Sequence, residues 1–212
     1  MNEIHRRPTE RPSAARQRIF AAAVRLFAEK GATQLGISEL AAAAGVARGT
    51  IYNNLTDADS LFDALAEELV DEMSERLTRS LADIDDPAAR MGCALRHYVR
   101  RAHEEPDWGR FITRFAYSNR SLQRLWLAGP GLNLQAGIET GRYRVTREQT
   151  RAVLGMIAGG VIGAMFAVLD GQLTWRSAGA DTVELLLVAL GIERDEARRI
   201  AAIELPPLPP LQ

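Results

Sequence analysis

Cysteine is almost absent from this 212-residue chain. The single cysteine, Cys93, excludes an intrachain disulfide framework, and its place in a helical pattern favours the role of a small buried hydrophobe. The N-terminal stretch has arginines but no apolar h-region and no small-residue cleavage site. We therefore expect no secretory signal and a cytoplasmic location.

Signatures of catalysis and of metal binding are missing as well. The chain has no G-x-S-x-G nucleophile motif and no Walker phosphate loop. His97 and His103 are six residues apart, so a helix places them on different faces and a metal pair is not expected. We expect neither an enzyme nor a site for a metal or cofactor.

Signals for β-strands are scarce, since the chain lacks an Asn-Gly hairpin turn and long runs of alternating β-branched residues. Apolar residues recur instead at helical spacing, and 47% of all residues are apolar, which is enough for a hydrophobic core. An all-α fold is therefore predicted. The predicted helices cover residues 14–30, 37–44, 47–54, 57–83, 87–105, 106–118, 146–170 and 177–191, with a short segment in 193–204.

Residue types at the segment ends support this assignment. Ser13 is suited to cap the first helix and Gly31 to end it, while Thr56 and Asp59 have the spacing of a capping box before the long fourth helix. Residues 119–140 stay undecided because "AGPG" interrupts the helical pattern. The prolines of the tail "LPPLPPLQ" exclude a helix there, and a packed or frayed terminus is favoured over a polyproline ligand.

Basic charge is concentrated at one end of the chain. Residues 1–56 hold eight basic and four acidic side chains, whereas the remainder holds 18 basic and 23 acidic ones. A basic first quarter on an acidic body indicates a polyanionic partner, although an ordinary solvated surface explains the charge equally well.

The segment "ISELAAAAGVARGTIYNNL", residues 37–55, has the pattern of a helix-turn-helix. Gly45 allows the tight bend with positive φ, and the alanines of the first helix allow close approach of the second. Val46, Ile51 and Leu55 are expected on the buried side of the second helix. The outward positions carry side chains suited to base edges and phosphates, on a helix that fits a major groove. These positions are Ala47, Arg48, Gly49, Thr50, Tyr52, Asn53 and Asn54.

Three of these positions carry specific hypotheses. Arg48, at the leading turn, is expected to contact guanine or an adjacent phosphate, and the Tyr52 hydroxyl is expected to contact phosphate. Gly49 costs about 1 kcal/mol relative to alanine inside a helix. We interpret Gly49 as a site of close DNA approach, with packing against the first helix of the motif as the alternative.

Residues 13–62 as a whole resemble the DNA-binding domain of the TetR family of bacterial transcriptional regulators. The matching features occur in order as "LFAEKG", "ISELAAAAGV", "RGTIY" and "DADSLF". The resemblance implies a three-helix helix-turn-helix domain followed by a helical C-terminal domain for ligand binding and dimerisation. It also implies a homodimer that binds double-stranded DNA at a palindromic operator and leaves it when a small-molecule effector binds. A repressor is favoured, with an activator of the same family as the alternative.

On this resemblance the chain divides into a flexible basic arm over residues 1–12, a DNA-binding domain over 13–56 and a C-terminal domain over 57–212. Two departures weaken the expected phosphate contacts. Gly36 stands where the family commonly has Ser or Thr, and Ser38 stands where an arginine is frequent.

Basic residues near the N-terminus are expected to supply the affinity for DNA that these two departures remove. Ser38 remains a candidate DNA contact, and Arg16 is another. A basic arm that carries Arg6, Arg7 and Arg11 is expected to lie along the minor groove or the backbone.

The stretch "AVLGMIAGGVIGAMFAVL", residues 152–169, carries no charge. Its eighteen residues reach the lower limit for a membrane span, but the glycines lower its hydrophobicity and no aromatic belt flanks it. A membrane anchor is thus the remote alternative, and we favour a helix buried on all sides at the seam of a soluble dimer. The residues expected at the dimer interface are Gly155, Gly159, Gly163, Ala167 and Leu186.

Most aromatic residues lie between the two functional ends of the chain. A mostly apolar cavity with few polar groups is the expected effector site in such a domain, although plain core packing is the more common role of any single aromatic residue. The effector is expected to be small and largely apolar. The residues expected at the cavity wall are Trp108, Phe111, Phe115, Trp126, Met156 and Phe166.

Overall fold

The computed structural model describes residues 13–55 and 60–210 of the chain. Within these residues the regular structure consists of α-helices and a 3-10 turn with no strand, which confirms the predicted all-α fold. The chain divides into two compact units, Met1–Leu61 and Phe62–Gln212. The predicted boundary at residues 56 and 57, and the capping box of Thr56 and Asp59, lie outside the described residues.

The described part of the N-terminal unit holds α1 (Ala14–Lys30), α2 (Ile37–Ala44) and α3 (Arg48–Asn54). Both ends of α1 form as predicted. The Ser13 hydroxyl accepts a hydrogen bond from the backbone N–H of Arg16 at 3.1 Å. Gly31 adopts the left-handed conformation with φ 67° and donates its N–H to the Phe27 carbonyl. Residues local to each end therefore determine the length of α1.

Gly45 makes the bend between α2 and α3. Its φ of 63° lies in the left-handed region, as the helix-turn-helix pattern predicts. Leu40 of α2 and Ile51 of α3 are fully buried, and Lys30 at the end of α1 pairs with Glu39 of α2 at 2.7 Å. These contacts fix the two short helices against α1.

The C-terminal unit is a bundle in which α5 is buried along most of its length. Asp86 caps α5 by accepting the N–H groups of Ala88 and Ala89, and Pro87 occupies the first turn, where no donor is needed. The helices are α4 (Leu61–Ser80), α5 (Pro87–Glu104), α6 (Pro106–Phe115), α7 (Arg120–Leu127), α8 (Gly129–Glu139), α9 (Thr150–Leu169), α10 (Trp175–Ala189) and α11 (Arg194–Ala201), with a 3-10 turn at Arg147–Gln149 before α9.

The undecided segment 119–140 forms two helices. The Asn119 side chain caps α7 by accepting the Leu122 N–H at 3.0 Å. Ala128 separates α7 from α8 with φ −74° and ψ −84°, and Pro130 lies in the first turn of α8. The "AGPG" interruption is therefore a corner between two helices, because proline is tolerated at a helix start but not in its interior.

The proline-rich tail is not helical and packs on the bundle as far as it is described, to residue 210. The Arg76 Nε atom donates to the Pro209 carbonyl, and Arg79 Nη2 donates to the Pro210 carbonyl, both at 2.8 Å. The sequence favoured a packed or frayed terminus, and these bonds to α4 show a packed one.

Candidate nucleic-acid interface and ligand cavity

The outward side of α3 is the candidate nucleic-acid surface. Ile51 anchors the helix with an exposed fraction of 0%, while Tyr52 on the other side is 66% exposed. Thr50 and Asn54 are half-buried. The residues fully available to a partner, which we call the α3 face, are Ala47, Arg48, Gly49, Tyr52 and Asn53.

Gly49 has open space where a side chain would stand. A Cβ atom built on it meets no other atom within 4 Å, apart from the backbone of its own helix. The alternative hypothesis that Gly49 is needed for packing against α2 is therefore wrong. Close approach of DNA at Gly49, where a glycine costs about 1 kcal/mol in a helix, stays a prediction.

Asn54 has an internal role that the sequence did not reveal. Its Nδ2 atom donates to the Thr50 carbonyl at 2.8 Å, and its Oδ1 atom accepts a hydrogen bond from the Ser13 hydroxyl at 3.1 Å. These bonds tie the end of α3 to the start of α1. Because the two residues are 41 positions apart, no local pattern predicts the contact.

The remaining candidate DNA contacts lie around the starts of α1 and α2. Ser38 is exposed in the first turn of α2, and Gly36 caps that helix without a side-chain hydrogen bond. The Arg16 guanidinium lies 4.3 Å from the centroid of the Phe20 ring. The arm arginines Arg6, Arg7 and Arg11 lie outside the described residues.

The six residues predicted at the effector wall lie in two different environments. Four of them, Trp108, Phe111, Phe115 and Trp126, are at most 5% exposed and pack in two groups of aromatic rings. Ring centroids are 4.9 Å apart for Phe62–Phe115, 5.3 Å for Phe111–Phe115 and 5.3 Å for Tyr98–Trp126. Met156 and Phe166 are 41% and 60% exposed on α9. Aromatic side chains fill space efficiently, so their abundance marked the core and not its cavity.

A cavity of about 390 Å³ lies between α4, α5 and the start of α8. Its size is in the usual range for small-molecule sites. Leu77, Leu81 and Leu132 supply apolar wall, and small residues such as Ala94 and Gly129 leave the space open. None of the six predicted wall residues lines this cavity. Small residues on separate helices were the only sequence feature that could have predicted this cavity. They did not suffice, because a sequence does not show which helices pack together.

Five of the twelve residues that line this cavity are polar, namely Ser74, Thr78, Arg90, Tyr98 and Asn133. Tyr98 donates its hydroxyl to the Leu125 carbonyl at 3.2 Å, and burial raises the pKa of its phenol. Asn133 is 7% exposed, and Arg90 is half-buried. Apolar walls with a small number of placed polar groups are typical of ligand sites.

In a single copy of the chain, the helix α9 is buried on one side, and the prediction that a partner buries its other side stays a prediction. Its bulky ridge faces the core, with Ile157, Val161 and Met165 fully buried. The opposite side, which we call the α9 seam, is exposed. It consists of Gly155, Gly159 and Gly163 together with Met156 and Phe166, and Ala167 lies half-buried beside it.

The predicted interface residue Leu186 belongs to the protomer core. It is 7% exposed, and its Cδ1 atom lies 3.5 Å from a Cβ built on Gly160. Its neighbour Leu185 is 61% exposed instead. Neighbouring residues of a helix point about 100° apart around its axis. The sequence pattern alone did not show which of the two leucines faces outward.

The segment Arg147–Leu169 is long and apolar enough to cross a membrane, with a mean hydropathy of 2.3. Only its length and composition support a membrane span. Core helices of soluble proteins have the same length and composition, so this support is weak. Its bulky side packs against α5, α6 and α10.

Comparison with known families gives two matches along this chain. Residues 19–65 match the model described as "Bacterial regulatory proteins, tetR family". Residues 86–203 match the model described as "Tetracyclin repressor-like, C-terminal domain". The first match covers most of the N-terminal unit, and the second covers most of the C-terminal unit.

Individual relatives agree with these matches. The HTH-type transcriptional repressor Rv1474c of Mycobacterium tuberculosis is 28% identical over 199 residues, which covers 88% of this chain and 95% of that protein. The uncharacterized HTH-type transcriptional regulator Rv1255c of the same organism is 27% identical over 103 residues, or 49% of this chain. The chain spans about half the length of that relative, 51%.

Solved structures with the same fold include RolR in complex with resorcinol. It is 28% identical with a TM-score of 0.64, covering 92% of this chain and 96% of that one. The FadR regulator of Bacillus subtilis in complex with stearoyl-CoA has a TM-score of 0.69 at 21% identity, covering 84% and 99% of the two chains. At that identity the second likeness concerns the fold alone.

Proposed function

Because the chain belongs to the TetR family of bacterial transcriptional regulators, we propose that it is a cytoplasmic homodimeric repressor of a palindromic operator. The α3 faces of two copies read the two half-sites, and a small, largely apolar effector in the C-terminal unit releases the DNA. The domain boundary near residue 56 and the contact residues of the α3 face are part of this proposal.

The exposed α3 face is the observation that carries the DNA-binding role. Arg48, Tyr52 and Asn53 point away from the unit, and open space surrounds Gly49. Arg48 offers a bidentate donor for guanine, and Tyr52 and Asn53 offer hydrogen bonds to phosphate or base edges. Asn54 is proposed to position α3 through Ser13 and not to read DNA itself.

We propose a dimer because one recognition helix contacts only a short stretch of DNA. A single helix-turn-helix covers too little DNA for useful specificity, and two copies read half-sites about 34 Å apart. The α9 seam is the proposed contact between copies, because it exposes Met156 and Phe166 beside three glycines in the C-terminal unit. Leu185 of α10 is added to this surface in place of Leu186.

The effector is proposed to bind in the cavity between α4, α5 and α8. The supporting facts are its volume of about 390 Å³ and its mostly apolar wall. RolR, 28% identical, was solved in complex with resorcinol, a small aromatic molecule. A ligand of that size fits the cavity with room to spare.

The DNA-binding role is tested with Arg48→Ala. We expect the substitution to weaken binding to a duplex selected from random sequence by about 1 to 3 kcal/mol and to relax the preference at one base position, because a bidentate contact is lost. Fluorescence anisotropy with the selected duplex and its single-base variants measures both effects. Arg110→Ala, at an exposed position of α6, is the matched control and is expected to bind as the wild type does. Equal wild-type affinity for selected and scrambled duplexes contradicts the proposal.

A further inference from the structure

We propose that the effector of this protein carries a carboxylate on an apolar body, and that Arg90 and Asn133 bind that carboxylate. The inference rests on the proposed function, since it specifies the ligand of the cavity between α4, α5 and α8. It is drawn from the charges and hydrogen bonds of the cavity wall.

Arg90 is the only charged residue among the twelve that line this cavity. Its Nε atom donates to the Ile84 carbonyl at 2.8 Å, which holds the guanidinium group in place. In the part of the chain that the structure describes, no carboxylate lies within ion-pair distance of Arg90. Its two terminal nitrogens thus remain available as donors.

Two other half-buried or buried arginines of the same unit form ion pairs, whereas the buried Arg96 donates, within the described residues, only to the Ile203 carbonyl. Arg101 holds Glu72 at 2.9 Å and Glu105 at 3.0 Å. Arg142 holds Asp86 at 2.8 Å and Glu196 at 2.7 Å. Removing a charge from water is costly unless it is paired, so the free guanidinium of Arg90 beside a cavity points to an anion supplied from outside.

Asn133 is a second unpaired polar group in the same wall. Asn133 is 7% exposed, and its side-chain amide makes no hydrogen bond within the described residues. Its NH2 group is a donor that a carboxylate oxygen satisfies, next to apolar wall from Leu77 and Leu132.

The chemistry of this wall selects against other ligand classes. No Asp or Glu lines the cavity, so an ammonium ligand finds no counter-charge. A neutral amide or phenol oxygen can accept from Asn133 and from Arg90, but it forms no ion pair with the guanidinium group. Charge-assisted pairs of guanidinium with carboxylate are about twice as strong as neutral hydrogen bonds.

The test compares three matched probes, 4-phenylbutanoate, 4-phenylbutanamide and 4-phenylbutylamine, on the full-length protein. Isothermal titration without DNA measures their affinities. We expect the carboxylate to bind at least about tenfold more tightly than the other two probes, the ratio that a charge-assisted bond of about 1.4 kcal/mol supplies. An eight-carbon series of octanoate, octanamide and octylamine repeats the comparison with a flexible body.

Substitutions at Arg90 test whether this residue causes the preference for the carboxylate probes. Arg90→Gln is expected to remove the preference for the carboxylate, and Arg90→Lys to keep part of it. Arg110→Gln is the control at an exposed site of α6 and is expected to keep the full preference. Arg90→Glu is expected to reverse the order in favour of the amine, an outcome that loss of folding does not produce.

The inference is overturned if the amide or amine equals the carboxylate, if Arg90→Gln keeps the preference, or if neither series binds. Binding of the selected duplex is measured in parallel by anisotropy, with and without the carboxylates. Absence of sequence-specific DNA binding overturns the proposed function while the titration still decides the ligand class. Specific DNA binding with no preference for the carboxylate overturns this inference alone.

Discussion

Arg101 shows how a buried charge is accommodated in this protein. The side chain is 4% exposed, and its Nη2 atom donates to Glu72 and Glu105 at 2.9 and 3.0 Å. Its guanidinium also lies 4.5 Å from the centroid of the Trp108 ring. The paired charges tie α5 to α4, because separating them would leave buried groups uncompensated.

His97 on α5 is a buried base without a counter-ion. It is 0% exposed, its Nε2 atom lies 3.4 Å from the Ser80 hydroxyl, and its Nδ1 atom has no partner. Burial, together with the positive charges of Arg100 and Arg96, lowers the pKa of His97 to about 4. The imidazole is therefore neutral in the folded protein at pH 7.

The lowered pKa predicts a loss of stability in mild acid. The unfolded chain takes up a proton at His97 near pH 6.5, whereas the folded chain does so only near pH 4, so the free energy of unfolding falls as the pH drops between these values. From pH 7 to pH 5 we expect a loss of about 2 kcal/mol from this group. Urea unfolding at both pH values measures it.

His97→Gln is expected to lose less stability than the wild type over the same pH interval, whatever its stability at pH 7. His103→Gln, at an exposed position of the same helix, is the control and is expected to show the wild-type pH dependence. An unchanged pH dependence in His97→Gln would show that other groups cause the acid sensitivity.

At the scale of the helix, α2 begins without a side-chain cap. Gly36 is its N-cap with φ −71° and ψ 133°, a conformation that any residue adopts. A Cβ built on Gly36 meets no atom within 4 Å. The site therefore accepts a serine, which is also the residue type that the family commonly has there.

Gly36→Ser is expected to stabilise the N-terminal unit and to tighten DNA binding. The hydroxyl caps free N–H groups of the first turn, which is worth a few tenths of a kcal/mol relative to glycine and about 1 kcal/mol relative to alanine. Urea unfolding followed by circular dichroism measures stability, and anisotropy measures DNA affinity. Gly36→Ala is the matched control without a hydroxyl, and equal behaviour of the two variants would contradict the capping role.

Helix ends were predictable from sequence, and helix neighbours were not. Ser13, Gly31 and Gly45 act on the backbone within a few residues, so their caps and bends formed as predicted. The bond of Asn54 to Ser13 and the cavity at Arg90 depend on which helices meet, a property of the whole fold. The resemblance of residues 13–62 predicted the DNA-binding domain but carried no information about that cavity.

For the whole molecule, the α9 seam is the surface that we propose to form the contact between copies. Three glycines stand on the exposed side of one helix, and each costs about 1 kcal/mol of helix stability relative to alanine. A Cβ built on Gly163 meets no atom within 4 Å, so the protomer itself does not need a glycine there. Close approach of a second helix gives these glycines a physical reason.

Gly163→Leu is expected to have opposite effects on the stability of the protomer and on the stability of the dimer. The leucine raises helix propensity by about 1 kcal/mol, so the protomer remains folded, while its side chain keeps the partner helix from close contact. Sedimentation velocity over a range of concentrations is expected to show a shift toward monomer, and circular dichroism is expected to show unchanged helix content. Gly163→Ala, which adds a single methyl group, is expected to shift the equilibrium less. A dimer as tight in Gly163→Leu as in the wild type would place the contact between copies on another surface, because a helix packed against Gly163 has no room for a leucine side chain.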